Sequence, residues 1–118
     1  LHVNERLELC RKAILERDFE LFARVVEEDS NLMHAVMRTS SPSLVYWLPE
    51  TEVILWTLKE WRNQGRAVCA TVDAGPNVHV LTLPQDMEWT LARLKQLPGV
   101  KQVLQAPVGQ GARLLPSK

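Results

Sequence analysis

Two β-prone runs separated by five residues constrain the fold of this chain more than any other feature. The first run, 66–72, consists mostly of small or β-branched residues, and the second, 78–83, continues the pattern. The residues between them are Asp73, Ala74, Gly75, Pro76 and Asn77. Glycine can adopt positive φ, and proline fixes its own φ and lacks an N–H donor. The sequence therefore predicts two strands joined by a tight loop.

Asp73 is the residue of this loop that could take part in chemistry. A carboxylate at the end of a stiff strand is held in place yet can face a cleft, which suits a positioned base or a phosphate-facing group. Asp, Gly, Pro and Asn are also ordinary turn formers. On these residues alone, a structural turn is the simpler interpretation.

Helical patterns fill most of the remaining chain. The expected buried face of the first helix comprises Val3, Leu7, Cys10 and Ile14. Asp18 and Asp86 stand where N-caps of the second and fourth helices are expected. The patterns predict helices at 3–16, 19–38, 52–64 and 86–97, and strands at 66–72, 78–83, 100–106 and 112–115.

This order of elements predicts an α+β fold. We expect a two-layer sandwich in which the helices pack on one face of a mainly antiparallel four-stranded sheet. At 118 residues the chain is expected to form one domain, 1–118. The opposite face of the sheet, or the edge near Asp73, should be apolar or open.

Composition argues against several classes of function. Fourteen basic residues balance fourteen acidic ones, and no basic run contains interleaved aromatics, so nucleic acid is not an expected partner. No apolar run is long enough to span a bilayer, and we find no signal peptide. Cys10 and Cys69 are expected to be buried thiols of a cytoplasmic protein. The scattered His2, His34 and His79 predict no metal site.

Three other features have simple structural interpretations. A lone histidine on an apolar helical segment, as at His34, is more often a core or interface residue than a catalyst. The acidic run 27–29 is most simply a solvated helix face. The tryptophans are not interleaved with basic residues, which indicates packing rather than a stacking platform. They are Trp47, Trp56, Trp61 and Trp89. Of these, Trp47 is the one that could line a cleft.

A series of short motifs occurs in a characteristic order along the chain. They are Met33-His34-Ala35, then Tyr46-Trp47 with Pro49-Glu50-Thr51, and then Asp73-Ala74-Gly75-Pro76-Asn77 about forty residues beyond the first. In this order and spacing they resemble the C-terminal half of the mevalonate diphosphate decarboxylase family, which belongs to the GHMP kinase superfamily. The resemblance covers most of the chain, and the Tyr-Trp-x-Pro-Glu-Thr segment favours the bacterial branch.

The resemblance implies a catalytic role for Asp73. In the family, the aspartate of this motif faces the C3 hydroxyl of the substrate and assists its phosphorylation by ATP. Loss of phosphate and carbon dioxide then gives an isopentenyl product. The substrate would be mevalonate 5-diphosphate or, in a phosphomevalonate decarboxylase, mevalonate 5-phosphate. The loop residues expected close to substrate and phosphates are Ala74, Gly75, Pro76 and Asn77. The residues expected in the site wall are His34, Tyr46 and Trp47.

The chain departs from the complete family pattern because it lacks the N-terminal half. The missing half carries the Pro-x-x-x-Gly-Leu-Gly-Ser-Ser-Ala-type loop that cradles the ATP phosphates, and Gly109-Gln110-Gly111 is better interpreted as a hairpin. The chain begins at Leu1 without a methionine, so we expect it to be a piece of a longer protein. ATP and Mg would serve the whole enzyme. The piece alone is expected to bind neither and to be inactive.

Two other functions remain open at this point. One is a domain of a related GHMP small-molecule kinase, and the other is a non-catalytic α+β module for ligand binding or dimerisation. Asp73 favours the decarboxylase, because kinase relatives generally carry a glycine-rich loop in its place. The partners implied are a small-molecule substrate and the missing N-terminal domain, and a homodimer is compatible with the resemblance.

Overall fold

The computed structural model describes residues 2–42, 47–73 and 75–116. Its elements are α1 (Val3–Leu15), α2 (Phe19–Arg38), α3 (Pro49–Asn63), β1 (Val68–Val72), β2 (Val78–Thr82), a 3₁₀ turn (Pro84–Asp86) and α4 (Met87–Leu94). The four predicted helices and the first two predicted strands are confirmed. Helix α3 begins at Pro49 rather than at 52, because proline suits the first turn of a helix, where its missing N–H is not needed.

The two strands pair antiparallel across the Asp73 loop. Val68 lies opposite Thr82 and Val72 lies opposite Val78. On one face of this sheet, Val68 and Ala70 form the hydrophobic core with Leu58 of α3 and Leu94 of α4. On the other face, His79 and Leu81 are exposed. The α+β class and the packing of helices on the sheet are therefore confirmed.

The predicted strands at 100–106 and 112–115 are not formed in this structure. Within the described residues the sheet has two strands, and 101–116 has no regular structure. Leu104, Val108 and Leu114 are 84%, 100% and 97% exposed, and Val103 is the residue of this segment that packs against the core. β-propensity measures how well side chains fit a half-buried pleated surface. Within the described residues, 101–116 has no strand partner, and most of its large apolar side chains are exposed.

Helix α1 buries a different face from the predicted one. Val3, Leu7 and Ile14 are more than half exposed, and Cys10 is half-buried. The buried residues of α1 are Arg6 and Ala13, and the helix packs against α2. Arg6 Nε donates to Asp29 Oδ1 at 3.0 Å. The α1–α2 contact therefore includes an ion pair, which apolar periodicity does not detect.

Polar side chains, rather than another strand, cover the outer edge of β1 in the described chain. Glu27 Oε2 of α2 accepts the N–H of Ala70 at 3.0 Å, and Arg62 Nη1 of α3 donates to the carbonyl of Val68 at 3.1 Å. The two side chains also form a bidentate pair at 2.6 and 2.8 Å. The hydrogen bond to Glu27 raises the pKa of Arg62. The prediction of a solvated face is thus wrong for Glu27, which joins α2, α3 and β1.

Asp86 precedes α4, as predicted, but its side chain does not cap that helix. Its carboxylate instead accepts the N–H of Ala67 at 2.8 Å and a hydrogen bond from Arg66 Nη1 at 3.1 Å. The bond from Ala67 is the largest cause of a lowered pKa of Asp86. Asp86 therefore fixes the backbone just before β1, because the N–H of Ala67 has no hydrogen-bond partner in a helix or in the sheet.

The tryptophans and cysteines differ in burial. Trp61 meets Trp89 edge-to-face at 5.1 Å, which confirms packing for these two, whereas Trp56 is exposed on α3. Both thiols are free, with Cys69 buried and Cys10 half-buried. Burial raises the pKa of Cys69 to about 12. In the described part of the chain, no helix has the length and apolar character required to cross a membrane.

Candidate functional site

Asp73 follows β1 directly, and its side chain is 77% exposed. Its Oδ2 lies 3.7 Å from Nε2 of His79 on β2, an ion pair when the imidazole is protonated. The antiparallel register brings His79 to this end of the sheet, opposite Thr71. Sequence analysis did not connect the two residues, although the hairpin pattern could have placed them together.

The loop after Asp73 requires glycine at one position. Gly75 has φ of +129°, a conformation that side chains rarely adopt, while a Cβ at this position would meet nothing within 4 Å. Backbone conformation rather than space therefore explains this glycine. Pro76 and Asn77 are exposed. Ala74 lies outside the described residues.

Two buried side chains of α2 hold the last residue of β1. Ser30 Oγ accepts the N–H of Val72 at 3.1 Å and donates to its carbonyl at 3.3 Å. His34 Nε2 lies 2.7 Å from the same carbonyl oxygen. Because a carbonyl can only accept, Nε2 carries the hydrogen in this contact. Ser30 and His34 are four residues apart and so share one face of α2.

Helix α3 holds the other side of the loop. Thr51 Oγ1 donates to the carbonyl of Pro76 at 2.8 Å and accepts the N–H of Leu48 at 3.3 Å. The Thr51 side chain is buried. Sequence analysis placed Thr51 in the Pro-Glu-Thr motif but missed its contact with the loop. The backbone on both sides of the Asp73 loop is therefore fixed by helices that are distant in sequence.

The three predicted wall residues have different outcomes. His34 is 3% exposed, so it supports the end of β1 from inside the protein. The half-buried Trp47 packs on it, with ring centroids 4.9 Å apart, and the Arg38 guanidinium lies 4.9 Å from the Trp47 ring. Tyr46 lies outside the described residues. A role for His34 and Trp47 in the wall of the substrate site stays a prediction.

Metal-ligating side chains do not form a cluster around Asp73 in the described chain. Across 2–42, 47–73 and 75–116, no group of three or more His, Cys, Asp or Glu side chains could hold a metal ion. Two surface hollows are lined by residues of α1, such as Leu9, and one of them also by residues at the start of α2. What the site offers is an exposed carboxylate on a fixed backbone, which can accept a proton from a bound hydroxyl.

Comparison with known protein families gives a clear result. The family model described as "Mevalonate 5-diphosphate decarboxylase C-terminal domain" matches residues 1–114. The chain belongs to this family. The resemblance identified from its motifs is therefore confirmed.

Individual relatives agree with the family match. The diphosphomevalonate decarboxylase of Candida albicans is 32% identical over 92% of this chain, and that of Saccharomyces cerevisiae is 34% identical over 82%. The chain spans only 35% and 25% of the lengths of these two proteins. A phosphomevalonate decarboxylase of Haloferax volcanii is 25% identical over 74% of the chain.

Solved structures of the same family share the fold. Mevalonate diphosphate decarboxylase from Staphylococcus aureus matches with a TM-score of 0.76 at 30% identity, covering 80% of this chain and 29% of that one. The Enterococcus faecalis enzyme, in a structure concerned with ATP binding mediated by mevalonate diphosphate, matches with a TM-score of 0.75 at 28% identity over the same shares. Fungal and bacterial relatives have similar identities, so assignment to the bacterial branch stays a prediction.

Proposed function

We propose that the whole protein containing this chain is an ATP-dependent decarboxylase of mevalonate 5-diphosphate, and that this chain supplies its catalytic carboxylate, Asp73. The observation that carries the proposal is the placement of Asp73. It is exposed at the end of β1, on backbone held by α2 and α3, in a chain that matches the family over 1–114.

In the proposed reaction, Asp73 accepts the proton of the C3 hydroxyl as the oxygen takes a phosphoryl group from ATP. The C3–O bond then breaks and phosphate leaves. The C–C bond that joins the carboxylate to the carbon chain also breaks, and carbon dioxide leaves. The electron pair of this broken bond forms the new C=C bond. A tertiary alcohol is a hindered and weakly acidic nucleophile, so a carboxylate within hydrogen-bonding distance lowers the barrier.

The finer points of the proposal concern the rest of the protein. ATP and Mg would be bound mainly by the part of the whole protein outside this chain. The cytoplasm is the proposed compartment.

We also propose that further strands extend the sheet in the whole protein, with 100–106 among them. Two observations support this idea: among the described residues no strand pairs with the outer edge of β2, and the segment 101–116 carries exposed apolar side chains.

Mevalonate 5-phosphate is the second candidate substrate. The similarity to the Haloferax volcanii phosphomevalonate decarboxylase supports it, at lower identity than the diphosphomevalonate enzymes. The family match favours either decarboxylase over a related kinase and over a non-catalytic module.

The test uses the whole protein with each substrate labelled at the carboxyl carbon. We expect release of labelled carbon dioxide together with ADP, faster from the diphosphate than from the monophosphate. The 118-residue chain alone, assayed in parallel, should release neither. Formation of ADP without carbon dioxide would instead indicate a kinase, and no turnover of either substrate would favour a non-catalytic module.

A further inference from the structure

We propose that His34 is a positioning residue for the proposed reaction, setting the place of Asp73 through the carbonyl of Val72. The inference rests on the proposed function. The Val72 carbonyl belongs to the peptide group that joins Val72 to Asp73. Because a peptide group is planar, holding this carbonyl also fixes the direction of the Asp73 backbone N and Cα. His34 Nε2 holds the carbonyl at 2.7 Å.

The last peptide of β1 needs such a partner because of where it lies in the sheet. Ala70 and Val72 direct their backbone groups away from β2, toward α2. No strand covers that edge in the described chain. An unpaired buried carbonyl costs free energy and leaves the strand end free to shift. His34 and Ser30 together use both lone pairs of the Val72 oxygen, as a carbonyl allows.

The surroundings of His34 argue against a direct role in proton transfer. The side chain is 3% exposed and lies against Trp47, whereas the Asp73 carboxylate faces solvent and His79. The effect of His34 on the reaction therefore passes through the backbone.

The test compares three variants of the whole protein. His34→Ala removes the contact, His34→Gln keeps an N–H donor near the position of Nε2, and Val36→Ala alters an exposed residue of the same helix. Displacing a catalytic group by about 1 Å can cost about 100-fold in rate. We expect His34→Ala to lower kcat about 10- to 100-fold with little change in KM. His34→Gln should recover most of kcat, and Val36→Ala should match the wild type.

Combination with Asp73→Asn separates positioning from a general structural effect. If His34 acts through Asp73, adding His34→Ala to Asp73→Asn should slow the enzyme by less than about threefold. If His34→Ala folds poorly, Ser30→Ala, which removes the hydroxyl bonded to both the N–H and the carbonyl of Val72, provides a comparison at the same peptide group. Multiplicative losses, or a kcat that is unchanged in both His34 variants, would overturn the proposal. If Asp73→Asn itself kept full turnover, the proposed function would fail first and the positioning role with it.

Discussion

Replacing Glu27 by Gln should destabilise the protein far more than a typical change at a helix surface. Glu27 and Arg62 are 22% and 12% exposed and meet in a bidentate contact. Glutamine keeps the volume and one acceptor for the N–H of Ala70 but removes the charge. The Arg62 guanidinium is then left largely buried without its carboxylate, and breaking a buried pair in this way costs about 3 to 5 kcal/mol. Because Glu27 is partly exposed, we expect a loss of about 3 kcal/mol.

The matched control is Glu8→Gln. Glu8 pairs with Arg11 at 3.6 Å, and both side chains are at least two-thirds exposed, so its loss should cost less than about 0.5 kcal/mol. Urea unfolding, followed by the fluorescence of the packed Trp61 and Trp89, gives both free energies of unfolding. Equal destabilisation by the two substitutions would refute the view that Glu27 joins two helices to the edge of β1.

Three further predictions concern pH and nucleotide binding. The Cys69 thiol, with a pKa of about 12 in the folded protein, stays protonated where an unfolded thiol ionises near 9. The free energy of unfolding should therefore fall above about pH 9, by up to about 1.4 kcal/mol per pH unit, and this slope should be absent from Cys69→Ala in a pH series of urea titrations. The lowered pKa of Asp86 means that its stabilising effect is present above the ordinary aspartate pKa and is lost as pH falls through the folded value. Asp86→Asn should thus be less stable at neutral pH and lose less stability in acid, and a wild-type acid profile in this variant would contradict the contact with Ala67. Isothermal titration of the 118-residue chain with Mg-ATP should show no binding tighter than about 1 mM, whereas micromolar binding would mean that the nucleotide site has been misplaced.

Elements specified by neighbouring residues were predictable from the sequence. Helix α2 occupies the predicted 19–38, and the Asp18 carboxylate accepts the N–H of Leu21 at 3.1 Å as an N-cap does. The strand–loop–strand around Asp73 also forms as predicted, because its glycine and proline act locally.

Contacts between distant residues were not predictable in this way. Glu27 meets the N–H of Ala70 across 43 residues, and His34 meets the Val72 carbonyl across 38. A glutamate or a histidine on a helix can be either exposed or buried. In this chain, the packing of α2 on the edge of β1 is what largely buries Glu27 and His34. The same limit applies to 100–106, because alternation identifies the faces of a strand but does not supply a partner for its edges.

The central claim is that Asp73 is the catalytic carboxylate of the whole enzyme, and the turnover of Asp73→Asn tests it most directly. Asparagine keeps the shape of the loop but cannot accept the hydroxyl proton. We expect kcat to fall by about two to four orders of magnitude with unchanged substrate affinity. Glu8→Gln, a second exposed carboxylate outside the loop, should retain full activity. Turnover of Asp73→Asn close to that of the wild type would contradict the claim.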